Sequence, residues 1–205
     1  MRRKSIEHIV FDIGRVLLHY DPQIPFNRII PDEEERQWFF EHVCTIDWNV
    51  EQDRGRSWEE AEAAAIAAYP EHETLIRAFR LNWHEMVPHA YEDTVDIMLG
   101  LIDDGHDVTM LTNFASDTFR EAMQRFDFLS EPRGVTVSAD VGAIKPQPEI
   151  FKIHATAYAL EPEATLFIDD SPMNVEGARA MGWTALQFTD AATLAKDLQK
   201  MRLIG

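Results

Sequence analysis

Five short apolar segments, separated by segments with helical periodicity, constrain the fold of this chain more than any other feature of its sequence. Each is rich in β-branched or aromatic residues and apolar on both faces, as expected of parallel strands covered by helices. The five predicted strands are HIVFD (8–12), VTMLTN (108–113), GVTVS (134–138), TLFIDD (165–170) and WTALQF (183–188). Strands that alternate with helices in this way predict an α/β fold with a doubly wound parallel sheet.

Apolar residues at helical spacing fill intervals between the later strands. Three such sets mark three helices: Val95, Met98, Leu99 and Ile102; Ile150, Ile153, His154 and Ala157; and Leu194, Leu198 and Met201. The first helix is expected to end before Gly105, because glycine is a common C-terminal cap. The other two are expected to follow Pro148 and Asp190.

The interval between the first two strands breaks this alternation. Residues 21–88 show no convincing strand pattern, but they contain three segments typical of helices: PDEEERQWFFEHV, SWEEAEAAAIAAY and ETLIRAFRLNWHEMV. Ser57 and Glu60 form a capping box at the start of the second segment. We predict an inserted all-helical domain of three or four helices over residues 21–88, joined to an α/β core domain of residues 1–20 and 89–205.

The aromatic residues of the insert are most simply interpreted as the core of a small helical bundle. These residues include Trp38, Phe39, Trp58, Phe79 and Trp83. Trp48 and Arg54 are better ligand candidates, because the surrounding sequence DWNVEQDRGRS predicts a loop. A loop directed at the core domain would line a pocket. We therefore predict that Trp48 and Arg54 bind substrate.

Composition and charge exclude several classes of protein. The net charge of −17 argues against a nucleic-acid-binding surface, because phosphate contacts require clustered Lys and Arg. No run of about 18 apolar residues occurs, so no transmembrane span is expected. Glu7 and His8 interrupt the basic start before any long apolar stretch, which argues against a secretory signal. Cys44 is the single cysteine, so no internal disulfide is expected and a cytoplasmic location fits best.

Polar residues stand at the ends of three predicted strands and in the loop after another. They are Asp12, Thr112 with Asn113, Asp169 with Asp170, and Lys145 within GAIKPQPEIF. In an open parallel sheet, ligands bind beyond the carboxyl ends of the strands, near the point where the strand order reverses. The helix after the paired acids needs only one N-cap residue, so a cap alone does not explain both. Three carboxylates, a hydroxyl, an amide and an ammonium group at one edge indicate a site for a divalent cation and an anion.

These segments, in this order, resemble the motifs of the haloacid dehalogenase-like (HAD) hydrolase superfamily. The matching stretches are VFDIGRVLL, LTN, IKPQPEIF and LFIDDSPMNVEGARAMG. The resemblance covers about residues 6–18 and 89–190, and the helical insert lies where many members carry a cap domain. The form FDIGRVLL is similar to a phosphatase subgroup that includes bacterial glucose-1-phosphate phosphatases.

The resemblance implies a role for each polar residue at the predicted edge. Asp12 would be the nucleophile, which forms a covalent aspartyl intermediate. Thr112 and the side chain or backbone of Asn113 would hold the transferred phosphoryl group. Lys145 would neutralise the charge of that group and of Asp12. The implied substrate is a small phosphorylated molecule.

The resemblance also implies Mg²⁺ as a cofactor. Its ligands would be Asp12, the backbone carbonyl of Gly14 and the pair Asp169 and Asp170, with Asp170 preferred for direct contact. Magnesium prefers oxygen ligands and keeps some waters, so this set suffices. A carboxylate and a phosphate dianion repel each other, and the cation together with Lys145 would reduce that repulsion.

Gly14 departs from the commonest phosphatase pattern of the family. There, the residue two positions after the nucleophile is a second Asp that protonates the leaving oxygen and later activates water, which is worth about 10²–10⁴-fold in rate. One hypothesis is therefore a phosphatase for substrates with good leaving groups, such as sugar-1-phosphates, aryl phosphates or acyl phosphates. Either the leaving group departs more easily, or His19, Asp21, water or a cap residue takes over the role of the acid. Arg15, next in the chain, is predicted to contact the substrate.

Two alternatives stay open from the residues. A 2-haloacid dehalogenase would use Asp12 to attack carbon, and Gly14 would cost it nothing, because halide leaves without a proton. The paired acids argue against this activity, since dehalogenases need no metal and extra carboxylates would repel the haloacid. A non-catalytic module that binds a phosphorylated ligand is the third hypothesis, although binding alone requires no nucleophile. The sequence predicts neither the natural substrate nor an oligomeric state.

Overall fold

The sheet consists of five parallel strands, as predicted. The computed structural model describes residues 5–205, so the first four residues of the predicted core domain lie outside the described part. The strands are β1 (His8–Phe11), β2 (Asp107–Thr112), β3 (Val135–Val137), β4 (Thr165–Asp169) and β5 (Thr184–Gln187). They lie in the order β3-β2-β1-β4-β5. The strand order reverses at β1, and the crevice at the carboxyl ends of the central strands is the expected ligand position.

The register of the sheet brings the predicted site residues to one level. Phe11 of β1 lies opposite Met110 of β2 and Ile168 of β4. Asp12 is therefore level with Asp169, and its backbone N–H donates a 2.9 Å hydrogen bond to the Ile168 carbonyl. Strand β2 ends one residue beyond this level, so its last side chain also reaches the carboxyl edge.

Twelve α-helices lie within the described residues. They are α1 (Gln23–Ile29), α2 (Glu33–His42), α3 (Ile46–Asp53), α4 (Trp58–Ala68), α5 (Glu73–Leu81), α6 (Trp83–Met86), α7 (Glu92–Asp103), α8 (Ser116–Arg125), α9 (Ser138–Val141), α10 (Pro148–Tyr158), α11 (Pro172–Ala180) and α12 (Ala191–Lys200). Helices α7, α10 and α12 confirm the three helices that were predicted from the spacing of apolar residues. Asp190 caps α12 by accepting the Thr193 N–H, and Gly105 follows α7 at φ +85°.

Helices bury both faces of the sheet, which is why its strands are apolar on both sides. Successive residues of a strand point to opposite faces. Ile9 and Phe11 belong to one apolar cluster with residues of α7, α12 and the helices before α7. Val10 belongs to a second cluster with residues of α10 and α11. Within residues 5–205, no helix has both the length and the apolar character that crossing a membrane requires.

Six α-helices, α1–α6, lie within residues 21–88, and the described structure contains no strand there. The all-helical prediction is correct, but three or four helices is too few. The capping box of Ser57 and Glu60 is confirmed at the start of α4. Aromatic rings form much of the interior, as the stacking of Phe26 on Phe39 at 5.5 Å between centroids shows.

The prediction of a loop over DWNVEQDRGRS is wrong, because helix α3 occupies much of this segment. The Thr45 side chain accepts the Trp48 N–H and caps the start of the helix. Gly55, at φ +108°, follows its end. Trp48 therefore lies on a helix, and Arg54 lies at the C-terminal cap position.

Two chain segments connect α1–α6 to the sheet, and they pair with each other. The Asp21 N–H donates to the Met86 carbonyl at 2.9 Å, and the His19 N–H donates to the His89 carbonyl at 3.0 Å. These bonds lie at the boundaries predicted from the sequence. The division into two domains stays a prediction.

Candidate active site

Lys145 is buried at the carboxyl edge of the sheet and joins two of the predicted carboxylates. Its Nζ lies 2.8 Å from Oδ1 of Asp12 and 2.7 Å from Oδ2 of Asp169, and it donates to the Leu111 carbonyl at 2.9 Å. All three N–H groups of the ammonium therefore have acceptors. Only 3% of Lys145 is exposed, and a buried charge requires such partners. The structure thus excludes a surface position for this lysine.

Burial and charge shift the protonation of this trio. Burial raises the pKa of Asp12, while the Lys145 ammonium opposes this shift and the negative charge of Asp169 adds to it. Burial alone would lower the pKa of Lys145, but the two carboxylates outweigh it and raise that pKa. When both carboxyl groups are ionised, two negative charges face one ammonium group, and a bound cation would compensate the excess.

The two carboxylate oxygens of Asp12 differ in their surroundings. Oδ1 accepts the Ile13 N–H at 2.7 Å and contacts the ammonium of Lys145. Oδ2 accepts no hydrogen bond from residues 5–205. A carboxylate with one fixed oxygen and one free oxygen has the arrangement of a positioned nucleophile.

Thr112 and Asn113, at the end of β2, differ in which of their polar atoms remain available to a ligand. Among the described residues, Thr112 Oγ1 is the buried side-chain polar atom without a hydrogen-bond partner. Because such atoms are uncommon and unfavourable, this hydroxyl is available to a ligand. The Asn113 amide donates to the Lys145 carbonyl at 3.0 Å, and its oxygen accepts the Lys145 N–H at 2.8 Å. The Asn113 side chain therefore fixes the loop of Lys145, and only its backbone is left for a substrate.

The paired acids at the end of β4 also differ, in burial and in hydrogen bonding. Asp169 is fully buried, and besides Lys145 its oxygens accept the Ser171 N–H at 2.8 Å and the Asn174 amide at 3.0 and 3.1 Å. Asp170 is half-buried, and burial together with the charge of Asp169 raises its pKa. Asp169 is thus held by neighbouring donors, whereas Asp170 is more accessible.

The acids at this edge fit a magnesium ion. Carboxylate oxygens of Asp12, Asp169 and Asp170 lie within 4.8 Å of one another. The Gly14 carbonyl accepts no hydrogen bond within residues 5–205, so it is a fourth available oxygen. Hard oxygen donors at this spacing suit Mg²⁺. Because hydrogen bonds occupy both oxygens of Asp169, Asp12 and Asp170 are the better placed direct ligands.

Gly14 and Arg15 lie beside these acids. A Cβ added at Gly14 would meet no heavy atom of the described residues within 4 Å, apart from its chain neighbours. Space is therefore open where the common phosphatase pattern has an acid. Arg15 adopts a left-handed backbone at φ 60°, and its exposed guanidinium lies 5.9 Å from the centroid of the Tyr20 ring. Its positive charge opposes the upward pKa shift of Asp170, which places Arg15 at the edge of the site.

A cavity of about 100 Å³ adjoins Gly14 between the helical segment and the sheet edge. Its wall combines aromatic with polar side chains. The aromatic ones are Tyr20, Trp58, Trp83 and Phe114, and the polar ones include His19, Asn49, Asp53 and Asn113. A group bound here would meet both apolar surface and hydrogen-bonding atoms.

Trp48 and Arg54, which were predicted to bind substrate, are not among the residues that line this cavity. The Trp48 ring packs against Trp58 at 5.8 Å and Phe79 at 5.3 Å between centroids, and its indole N–H donates to the Ala61 carbonyl at 3.2 Å. Arg54 pairs with an acid of α3 at 3.3 Å and with an amide before α10 at 3.3 Å. Trp48 thus belongs to the bundle core. Trp58, interpreted as core from the sequence, lines the cavity instead.

Two residues of the site were missed from the sequence. Asn174 lies five residues after Asp169 and holds its carboxylate. The sequence contained a signal for Asn174, because an amide in the first turns of a helix that follows an acidic strand end can reach that acid. Asp53 lines the cavity from the end of α3. It gave no local signal, since its place depends on how α3 packs.

The fold and site define a class of α/β proteins in which the carboxyl edge of a parallel sheet carries a carboxylate, a paired lysine and an acid cluster. The family model described as haloacid dehalogenase-like hydrolase matches residues 45–187. The chain belongs to this family.

Relatives of known function match parts of the chain. Bifunctional epoxide hydrolase 2 of Rattus norvegicus is 36% identical over 81 residues, which are 40% of this chain and 14% of the rat protein. Phosphoserine phosphatase of Thermus thermophilus is 31% identical over 80 residues, which are 38% of this chain and 32% of that protein. The chain thus matches about one seventh of the first relative and about one third of the second.

Solved structures share the fold over nearly the whole chain. A HAD family enzyme from Bacteroides thetaiotaomicron, crystallised with magnesium and inorganic phosphate, has a TM-score of 0.70 at 20% identity, covering 90% of this chain and 95% of that one. L-2-haloacid dehalogenase from Xanthobacter autotrophicus has a TM-score of 0.66 at 17% identity, covering 98% of this chain and 85% of that one. At these identities the likeness concerns the fold alone.

Proposed function

We propose that this chain is a Mg²⁺-dependent phosphatase that acts on a small phosphorylated metabolite through an aspartyl-phosphate on Asp12. The acid cluster of Asp12, Asp169 and Asp170 carries the proposal, because it sets oxygen ligands for a cation beside a positioned carboxylate. The phosphatase among the relatives and the neighbour that binds magnesium and phosphate support the same chemistry.

The chain's own side chains divide the first step among them. Oδ2 of Asp12 attacks phosphorus, and the bond between phosphorus and the leaving oxygen breaks. Lys145 holds the other oxygen of Asp12 and offsets negative charge in the transition state. The Thr112 hydroxyl, which lacks a partner in the described structure, donates to a phosphoryl oxygen together with the backbone of Asn113. In the second step water attacks phosphorus, the bond to Asp12 breaks and phosphate leaves.

Magnesium would be held by Asp12, the Gly14 carbonyl and Asp170, with Asp169 behind them. When bound, it would neutralise charge on the phosphoryl group and lower the repulsion between that group and the attacking carboxylate. Asp169 acts mainly through Lys145, because its oxygens already accept hydrogen bonds from that residue and from Asn174.

Residues 21–88 act, in this proposal, as a cap domain over the core of residues 1–20 and 89–205. The leaving group of the substrate occupies the cavity beside Gly14, and Arg15 contacts the substrate at the edge. Aromatic and polar walls suit a sugar, which has both apolar faces and hydroxyl groups. A sugar-1-phosphate, as in the resembling glucose-1-phosphate phosphatases, is the substrate class we favour.

One observation favours a dehalogenase as the second candidate. Gly14 supplies no proton, and a departing halide needs none. The acid cluster has no role in that reaction, and its excess negative charge would repel a 2-haloacid. We therefore place the phosphatase first.

The test compares the parent with Asp12→Asn and with Asp103→Asn, a control that changes an exposed acid of α7. Release of phosphate from a sugar-1-phosphate and an aryl phosphate is measured with Mg²⁺ and with chelator, and release of chloride from 2-chloropropionate alongside. Parent and control should release phosphate with Mg²⁺ only, and Asp12→Asn should not release it. The amide oxygen of Asn can still accept from Ile13 and Lys145, so this variant should keep its fold.

Other outcomes identify the alternatives. Chloride release that is insensitive to chelator, without cleavage of any phosphate ester, would establish the dehalogenase. Binding of a phosphorylated ligand without turnover would establish the binding module. Turnover retained in Asp12→Asn would mean that the chemistry occurs elsewhere.

A further inference from the structure

Asp53 occupies a place in the cavity that the reaction above leaves without a role. It is the last residue of α3, it is half-buried, and its side chain lines the same cavity as Gly14. We propose that Asp53 is the acid–base residue of this chain, which protonates the leaving oxygen and then activates water. The inference rests on the proposed phosphatase function.

The core of the protein fixes the position of Asp53. The Ser138 hydroxyl donates to the Asp53 backbone carbonyl at 2.5 Å, and the Ala115 backbone N–H is close enough to the Asp53 carboxylate to lower its pKa. Gly55, two residues on, approaches the core so closely that a Cβ there would lie 3.1 Å from the Ala139 carbonyl oxygen. The carboxylate therefore belongs to the inserted helices but is held by the sheet-side loops that also carry the site.

Gly14 and Asp53 line the same cavity. A Cβ at Gly14 would meet no neighbouring heavy atom of the described residues within 4 Å. Gly14 also lines the cavity whose wall includes Asp53, Phe114 and Ala115. A leaving group that departs from phosphorus beside Gly14 would therefore enter a cavity in which Asp53 supplies a carboxyl group.

The protonation of Asp53 suits the role. Burial raises its pKa to about 7, although the Ala115 N–H and the charge of Lys145 oppose this shift. A group with this pKa populates both its acid and its base form at neutral pH, as general acid–base catalysis requires. The elements around it carry these titratable or charged groups: His19 and Tyr20 after β1, Glu51 and Arg54 on or beside α3, Asp117 on α8, Asp140 on α9 and Lys145 after α9.

The two substitutes suggested from the sequence are less well placed. The Asp21 carboxylate already accepts the N–H of Gln23, the first residue of α1, at 2.8 Å. His19 lines the cavity, but its Nδ1 bonds with the Tyr91 hydroxyl at 2.9 Å and its ring stacks on His89 at 5.0 Å between centroids. These contacts leave His19 one nitrogen and a restricted ring.

The proton balances over the two steps. As Oδ2 of Asp12 bonds to phosphorus and the bond to the leaving oxygen breaks, the Asp53 carboxyl gives its proton to that oxygen, and a neutral alcohol departs. The Asp53 carboxylate then takes a proton from the water that attacks phosphorus. The bond from phosphorus to Asp12 breaks, phosphate leaves, and Asp53 regains its acid form.

The experiment uses two esters that differ in their need for a proton. The parent, Asp53→Asn and the control Asp47→Asn, which changes an exposed acid of the same helix, are assayed on p-nitrophenyl phosphate and ethyl phosphate with saturating Mg²⁺. We expect Asp53→Asn to lower kcat/KM for ethyl phosphate by about 10²–10⁴-fold and that for p-nitrophenyl phosphate by less than about 10-fold. Asp47→Asn should change neither.

Equal losses on both esters, or no loss on either, would overturn the role of Asp53 while leaving the phosphatase function intact. A parent that cleaves neither ester would overturn the phosphatase function itself. The two failures are therefore distinguishable.

The pH dependence of the parent provides a second measurement, which holds even if Asp53→Asn does not fold. kcat/KM for ethyl phosphate should fall as the pH rises above about 7, because Asp53 loses the proton it must donate. The aryl ester should lack this fall, and His19→Gln should retain it on ethyl phosphate. A fall of equal size for both esters, or its disappearance in His19→Gln, would overturn the assignment.

Discussion

Replacement of Lys145 by methionine tests the charge arrangement on which the proposed site depends. Methionine keeps most of the buried apolar stem, including its packing near Phe167, whose ring centroid lies 5.4 Å from Nζ. It removes the ammonium group that lies between Asp12 and Asp169. The parent has two carboxylates and one positive charge at this point, whereas the variant has two buried carboxylates without compensation.

The expected loss of stability is large. Removing one partner of a buried ion pair costs about 3–5 kcal/mol, because the other charge stays buried and unpaired. At roughly 2–4 °C per kcal/mol for a chain of this length, the Tm should fall by about 6–20 °C. Adding Asp12→Asn to Lys145→Met should recover part of this loss, since it returns the site to one negative charge.

Thermal unfolding followed by circular dichroism in the presence of chelator measures these shifts. Lys196→Met, which changes an exposed lysine of α12, is the matched control and should alter stability by less than about 0.5 kcal/mol. Phosphate release by Lys145→Met should fall to background. A Tm loss below about 2 °C would refute the reasoning, and so would a double variant whose loss equals the sum of the single ones.

Two further substitutions test the unpartnered hydroxyl of Thr112 and the absence of an acid at Gly14. Thr112→Val should stabilise the protein or leave its Tm unchanged while slowing phosphate release, because it removes an unpaired buried hydroxyl. Thr109→Val should cost about 1–3 kcal/mol, because it deprives His154 of a 3.0 Å bond; equal Tm shifts would contradict the contrast. Gly14→Asp should recover part of the ethyl phosphate turnover that Asp53→Asn loses, since the site has room for the side chain. Unchanged turnover in a folded double variant would show that an acid at position 14 does not take the place of Asp53.

The sheet and the edge residues follow from the sequence for a physical reason. Strands buried on both faces must be continuously apolar, so the place where Phe11 gives way to Asp12 marks the carboxyl end of β1. The same break occurs at the end of β4, where Ile168 gives way to Asp169. Because parallel strands end at one edge, residues far apart in the chain meet there, and the trio of Asp12, Lys145 and Asp169 could be predicted.

The helical segment could be predicted only in outline. The sequence pattern defines where helices occur, but not which face of each helix packs inward. Helix α3 was missed because DWNVEQDRGRS combines polar residues with a glycine. Whether Trp48 or Trp58 faces the cavity depends on which rings pack inside the bundle. Both are aromatic residues near the start of a helix, so nothing local distinguishes them.

Gly14 and Asp53 show why the nucleophile is easier to find than the proton donor. A nucleophile must stand where strand, lysine and metal ligands meet, and those constraints restrict it to one position in the chain. A proton donor needs only to reach the leaving oxygen with a suitable pKa, and any element that borders the cavity can supply it. Burial of Asp53 against Ala115 provides both conditions from a helix that no motif describes. The glycine in the motif therefore predicts a missing side chain, but only the packing of α3 identifies the residue that takes over its role.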